Sequence, residues 1–311
     1  MRIICSLIKA LSFLFVFICI SNFSFAGNVD TSRIINDLKV LVETNEARNY
    51  ANVETLNQVA EYIKAEFAKS TNKIEVQEFK VENRTYKNII CSFGPEDAPR
   101  IIVGAHYDVC GNQKGADDNA SGIVGLLEIA RNLKDVDLKN RIDLVAYSLE
   151  EPPFFKTESM GSFVHAQSLF KNNVNVKGMI CLEMIGYFSD KKKSQKYPIG
   201  LLKLFYGVKG DYITIVRKFC SGSFTRKFNR NFKQLDLIKT KTFTGPKILP
   251  GVDFSDHLNY WIFGYSALMI TDTAFYRNLN YHTKNDTIEN LDIKRMASVI
   301  ESVLKVLITN N

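Results

Sequence analysis

Four short motifs, each rich in acids or pairing an acid with a histidine, recur at comparable places along the chain. His106-Tyr107-Asp108 follows the apolar residues 101–105, Glu150-Glu151 follows a run that ends at Tyr147, and Glu183 follows 179–182. Asp117-Asp118-Asn119 sits immediately ahead of a stretch with helical periodicity. A single acid in such a place says little, because acids commonly cap helices and solvate loops. Four at one edge of one sheet are a different matter. Crowded carboxylates repel, and imidazole with carboxylate is a donor set for zinc, so a divalent cation is the simplest way to stabilise the cluster.

The chain has four histidines. His106 and His282 each adjoin a tyrosine and lie near an acid, Asp108 and Asp286. His165 stands in a helical stretch without acidic neighbours and reads as ordinary, whereas His257, after Ser255-Asp256, is ambiguous. Ser255-Asp256-His257 is not a serine triad, since three consecutive residues cannot adopt triad geometry without unusual backbone.

These motifs need a scaffold that brings them together. Residues 34–42 and 56–67 carry apolar side chains at helical spacing, residues 74–81 alternate as a strand does, and 86–93 read as its antiparallel neighbour. From 101 onward the apolar runs become continuous, at 101–103, 142–147, 179–185 and 267–270, with helices between several of them, such as 120–133 and 161–170. Uninterrupted apolar strands separated by helices are what a sheet covered on both faces requires. The pattern predicts a single α/β domain with a mixed, mostly parallel central sheet and helices on both faces. In such sheets, ligands collect beyond the carboxyl ends of the strands.

Arg2 and Lys9 precede an apolar run over 11–20 that closes on Ser24-Phe25-Ala26. This is the pattern of a signal peptide spanning 1–26, leaving 27–311 as the catalytic domain and placing it in the periplasm or outside the cell. No later segment is apolar for long enough to span a bilayer, so no stable membrane insertion is expected after cleavage. Cys91, Cys110, Cys181 and Cys220 then remain, without the close pairing of a metal-binding cysteine motif, and read as isolated buried thiols.

The net charge of +7 is unevenly spread: residues 190–250 hold fifteen lysines and arginines against three aspartates. This segment, about 189–250, is the most irregular of the chain and reads as a basic insertion over the sheet. It forms a solvated face, and its charge would also suit acidic substrates or an anionic surface. Aromatic residues are not interleaved as nucleic-acid binding would require.

The motif series, His106-Tyr107-Asp108, residues 115–122, Glu150-Glu151, residues 183–187, Ser255-Asp256-His257 and Tyr281-His282-Thr283, resembles in type and order that of the secreted co-catalytic zinc aminopeptidases. Their superfamily also holds glutamate carboxypeptidases and glutaminyl cyclases. The resemblance extends over about 48–291. It implies two Zn2+ ions per chain bridged by Asp118, one completed by His106 and Glu183 and the other by Glu151 and His282. Asp108 would orient His106, Glu150 would be the general base acting on metal-activated water, and the Tyr281 phenol would donate to the developing oxyanion. Asp256 and His257 fall to the outer shell or substrate pocket, with Tyr187, Tyr260 and Trp261 as further pocket candidates. Most relatives carry Asp where this chain has Glu183, which moves that carboxylate by about one bond.

The implied activity is hydrolysis of N-terminal residues from peptide substrates. A one-zinc glutaminyl cyclase, a carboxypeptidase and a catalytically silent, metal-stabilised binding ectodomain are the alternatives. The Tyr281-His282 pair argues against the cyclase, whose members resemble a Trp-His pattern there, and the free acid Glu150 argues against the ectodomain.

Overall fold

The computed structural model describes residues 29–309, so the expected leader over 1–26 lies outside the described residues. In chain order the elements are α1 (Thr31–Val42), α2 (Val53–Ala68), β1 (Ile74–Val81), β2 (Arg84–Phe93), β3 (Arg100–His106), α3 (Gly122–Leu133), β4 (Arg141–Tyr147), α4 (Gly161–Lys171), β5 (Val176–Glu183), α5 (Lys203–Tyr206), β6 (Ile213–Lys218), α6 (Gly222–Gln234), β7 (Thr240–Gly245), α7 (His257–Ile262), β8 (Ala267–Thr271) and α8 (Ile293–Thr309). The Asp30 carboxylate starts α1 by accepting from the backbone N–H groups of Ser32 and Arg33, which otherwise lack helical partners.

All eight strands form one sheet in the order β1-β2-β4-β3-β5-β8-β6-β7. The centre, β4-β3-β5-β8, is parallel; β1, β2 and β4 pair antiparallel in turn, as do β8 and β6, while β6 and β7 are parallel. The continuous apolar runs divide their side chains between two cores, as the two-residue repeat of a strand demands. Val103, Leu144, Ile180 and Leu268 point into the larger core beneath α1, α2, α3 and α8. Ile102, Val145, Met179 and Met269 point into the smaller one, shared with α4 and α7. This is the expected α/β domain, helices on both faces included.

The basic segment is more regular than its sequence suggests. Its strands β6 and β7 extend the sheet beyond β8 instead of lying across it. Short strands between lysines gave little periodicity to read. His165 is buried in the second core, where its Nδ1 lies 2.6 Å from the Tyr260 hydroxyl. Tyr260 and Trp261 belong to that core as well and do not line the cavity described below. The four cysteines are free; Cys91 and Cys181 are buried, but Cys220 is exposed.

Candidate metal centre

The parallel strands end on one edge, and each delivers chemistry there. His106 is the last residue of β3, Glu150 and Glu151 follow β4, and Glu183 ends β5. Asp118 lies in the turn before α3, and His282 in the loop after β8. Three non-glycine residues at this edge take left-handed backbone: Leu149 (φ 63°), Met184 (φ 50°) and His282 (φ 56°). Each is a ligand candidate or adjoins one, and strain of this kind persists where the surroundings over-determine the backbone.

The two oxygens of Asp118 face two separate nests. Oδ1 lies 3.4 Å from His106 Nε2, which is in turn 3.3 Å from Glu183 Oε2. Oδ2 lies 3.1 Å from His282 Nε2, itself 3.2 Å from Glu151 Oε2. Donors bonded to a tetrahedral zinc at about 2.0–2.2 Å stand about 3.3–3.5 Å apart, close to these separations. His106 Nε2, His282 Nε2 and Glu151 Oε1 are buried without a hydrogen-bond partner, as atoms kept for a cation would be. The extra methylene of Glu183 therefore does not take its carboxylate out of reach; Ser255 Oγ fixes it by donating to Oε2 at 2.7 Å.

Electrostatics points the same way. Burial drives Glu150 and Glu183 above the ordinary carboxylate range, and burial together with the Asp118 charge pushes Glu151 up to about 8. Asp118 alone of the four is held low, because the imidazoles of His106 and His282 beside its two oxygens outweigh its burial. Contact with Asp118 and Glu151 raises His282 to about 10 against the opposing effect of burial. A cluster that would otherwise take up protons offers a divalent cation the charge balance it needs. The residues present thus fit zinc.

A further shell holds these donors in place. Asp108 accepts the backbone N–H groups of Glu150 (3.2 Å) and Glu151 (3.1 Å) on its carboxylate, which also faces His106 Nδ1 at 3.5 Å, while its backbone carbonyl lies 3.2 Å from that nitrogen, so one residue orients an imidazole and fixes both glutamates. Asp286 accepts from the N–H groups of Asp117 (2.9 Å) and Asp118 (3.0 Å), and burial pushes it up to about 7. Asp117 accepts from Gly186 N and from Asn278 Nδ2, tying the turn after β5 to the loop that bears His282. Asn119 bridges likewise, donating to Leu182 O at 2.8 Å and accepting from Met184 N.

Arg48 is fully buried beneath the centre. Its guanidinium donates to the carbonyls of Leu41, Tyr107, Lys114 and Gly115, clamping the 107–115 loop, and burial lowers it to about 10 although Asp286, Asp118, Asp108 and Glu151 favour its charge. Sequence assigns no role to Asp117, Asp286 or Ser255, although each stands in or beside a motif, and it does not mark Arg48 or Asn278 at all. Asp286, near His282, carried the clearest signal; Arg48 lies between two helices with no pattern around it. Cys110 reads from sequence as an isolated thiol, yet its Sγ, Glu151 and His282 offer donor atoms within 4.8 Å of one another.

The remaining sequence candidates are placed as follows. The Tyr281 ring stacks on His282, with centroids 3.7 Å apart, and its phenol is raised by burial and by Asp118, Glu151, Glu150 and Glu183. Asp256 is buried, which pushes its carboxyl up to about 7, and it feels the charges of His106 and Glu183. His257 turns away from the donors: its Nε2 lies 2.8 Å from Val252 O and its ring packs edge-on against Trp261. An apolar cavity of about 90 Å³ opens beside the centre, with Glu183 and Tyr281 at one end and Tyr206, Tyr212, Phe243 and Phe254 among its walls.

Comparison with known proteins adds four findings. The model of a family described as peptidase family M28 matches residues 88–307. The chain is 42% identical over 278 residues to the uncharacterized protein YfbL of Escherichia coli K12, spanning 87% of this chain and 85% of that one. It is 25% identical over 301 residues to a probable leucine aminopeptidase of Arthroderma otae, spanning 89% and 72%. Among solved structures, the glutaminyl cyclase of Tannerella forsythia superposes with a TM-score of 0.65 at 22% identity, over 91% of this chain and 99% of that one, so the fold is shared.

Proposed function

The chain belongs to peptidase family M28, and from its centre we propose that it is an exported, zinc-dependent aminopeptidase that removes N-terminal residues from peptides. The observation that carries this reading is Asp118, whose two oxygens each face a histidine–glutamate pair. That arrangement fits two zinc ions, one of which His106 and Glu183 would hold and the other Glu151 and His282, with Asp118 offering an oxygen to each.

Zinc, when bound, lowers the pKa of water towards about 7 and polarises the scissile carbonyl as a Lewis acid. The protein supplies the proton movements. Glu150 is fixed at its backbone by Asp108 and lies 3.9 Å from His106 Nε2, beyond hydrogen-bond reach. Its carboxylate is free to take a proton from the attacking water and return it to the departing amine, and burial raises its proton affinity above that of an ordinary carboxylate. The Tyr281 phenol, kept protonated by burial and then by its neighbouring carboxylates, donates to the oxygen that gains charge.

The choice of the amino end rests on charge. The cavity beside the centre suits an apolar side chain, and Glu150, the acid here that zinc would leave free, repels a carboxylate. The cationic Lys196 in the lining is exposed. A panel of leucyl, phenylalanyl and glutaminyl anilides, N-blocked peptides and C-terminal substrates, with zinc content measured, tests the proposal. Cleavage of unblocked leucyl or phenylalanyl substrates supports it. Turnover confined to ring closure of N-terminal glutamine would transfer the centre to cyclase chemistry, and turnover of N-blocked substrates from the carboxyl end would refute the end assignment.

A further inference from the structure

The basic segment carries a surface for which the peptidase reading has no use. Around α5 the chain exposes Ile199, Leu201, Leu204, Phe205 and Val208, with Leu204 72% and Phe205 77% accessible. These side chains stand on an anchored turn. The Tyr206 hydroxyl donates to Thr242 O at 2.9 Å and its ring packs on Phe243, while the Tyr197 hydroxyl donates to Gly207 O at 2.9 Å. Leu202 and Tyr206 thus face the apolar cavity as Leu201, Leu204 and Phe205 face solvent. Ile248 is 88% exposed on the turn that leads to Pro250, which lines the same cavity.

A rim of positive charge surrounds this ridge. Lys191, Lys192, Lys193, Lys196, Lys203 and Lys209 are all exposed, and no salt bridge to them is found among the described residues. The nearby acid, Asp190, is engaged by Arg295 at 2.8 Å. An apolar patch rimmed by polar groups marks a binding surface, and the sign and shape of this one select its occupant. A second copy docked face to face would set six lysines against six. A bilayer takes long apolar side chains at the boundary of headgroups and tails, while lysine stems lie along the same boundary and their ammonium groups meet anionic lipid.

We propose that the ridge at 199–208, with Ile248, seats the protein on the surface of an anionic lipid bilayer and brings the mouth of the apolar cavity next to the membrane. The attachment is peripheral, in keeping with the finding that no helix among the described residues is long and apolar enough to cross a bilayer. It goes beyond the peptidase reading and does not depend on it.

Co-sedimentation of the purified full chain with vesicles tests it, using phosphatidylcholine alone or with about one third phosphatidylglycerol. The protein should sediment with the anionic vesicles only, and should come off as salt rises from about 0.1 M to about 0.5 M. Leu204→Ser with Phe205→Ser should weaken partitioning by about tenfold or more. Any apolar leader is common to wild type and variant, so the difference between them reads the ridge. Lys191→Gln, Lys192→Gln and Lys193→Gln together should weaken binding several-fold, and this second variant keeps the test decisive if the first melts at a lower temperature. Equal binding to neutral and anionic vesicles, or equal binding of wild type and both variants, overturns the proposal. Concentration-dependent dimerisation that the serine variant abolishes, without vesicle binding, overturns it too and gives the ridge to a second copy.

Discussion

Replacing Asp108 by asparagine removes one charge and one acceptor while keeping volume, at a residue that serves three groups at once. In the native protein its oxygens accept the N–H groups of Glu150 and Glu151 at 3.2 and 3.1 Å and face His106 Nδ1 at 3.5 Å. The amide that Asp108→Asn introduces can keep one backbone bond; its NH2 then confronts the other N–H, leaving a buried donor unpaired. That donor bonded to a charged partner, so the cost is about 2 kcal/mol, within the range of about 1.5–3 for such bonds. At about 2–4 °C per kcal/mol for a domain of this size, the melting temperature of zinc-free protein should fall by about 4–8 °C. Losing the charge beside His106, whose hydrogen bond to the Asp108 backbone carbonyl remains, should also weaken zinc binding by about tenfold, the lower end of the usual effect of altering a partner behind a ligand. Scanning calorimetry of the chelated protein reads the first quantity and titration against a competing chelator the second. If zinc affinity changed less than twofold while the melting temperature fell as expected, Asp108 would hold the glutamate turn without tuning His106. If neither moved, the assignment of Asp108 as the organiser of this edge would be wrong.

Glu150→Gln should keep its zinc, by elemental analysis, and lose about 10²–10⁴ in kcat on an unblocked substrate; equal turnover would remove Glu150 from the chemistry. Zinc binding to metal-free protein should release protons, seen as binding enthalpies that vary with buffer ionisation heat, and should weaken as pH falls, because Glu151 and His282 are held at about 8 and about 10 and must give up protons to the ion. Arg48→Met should cost about 3–5 kcal/mol in urea unfolding, since it removes a buried cation from among acids and leaves four carbonyls without their donor; a loss under about 1 kcal/mol would contradict its role as a clamp. His165, lowered to about 4 by burial, binds its proton more weakly when folded than unfolded, so its contribution is intact above about pH 6.5 and is lost as pH falls from there to about 4, on the order of 3 kcal/mol in all. Over that window wild type should lose stability relative to His165→Gln, and parallel curves for the two proteins would refute it.

The fold was legible because its strongest signals were local. Continuous apolar strands at 101–103, 142–147 and 179–185 can sit only in a sheet covered on both faces, and the acids after them had to share the carboxyl edge once the strands were parallel. Asp118, Glu151 and His282, dispersed along the chain, do meet, the two carboxylates lying 3.1 and 3.2 Å from one imidazole nitrogen. What stayed hidden depends on three-dimensional context. Asp117 and Asp286 act by accepting backbone N–H groups, a job any loop acid could do, and Arg48 works through carbonyls that carry no sequence pattern. His257 looked like a site residue from its neighbours Ser255 and Asp256, yet the first turn of α7 swings its ring towards Val252 and Trp261. Tyr260 and Trp261 follow it into the smaller core for the same reason. In the basic segment, β6 and β7 are edge strands too short for alternation to stand out from the lysines around them.

The donors are spread from His106 to His282, and the loop carrying the last of them is pinned by Asn278 and Asp286 to the turn before α3. A nascent chain therefore cannot complete the nest around Glu151, nor fix the Asp118 turn that both nests share, until synthesis has passed Asp286. Metal acquisition is thereby deferred to the place where the finished polypeptide folds, and the ion bound is drawn from what that compartment supplies. An export route that carries the chain unfolded would deliver it without cargo, leaving the choice of metal to the far side.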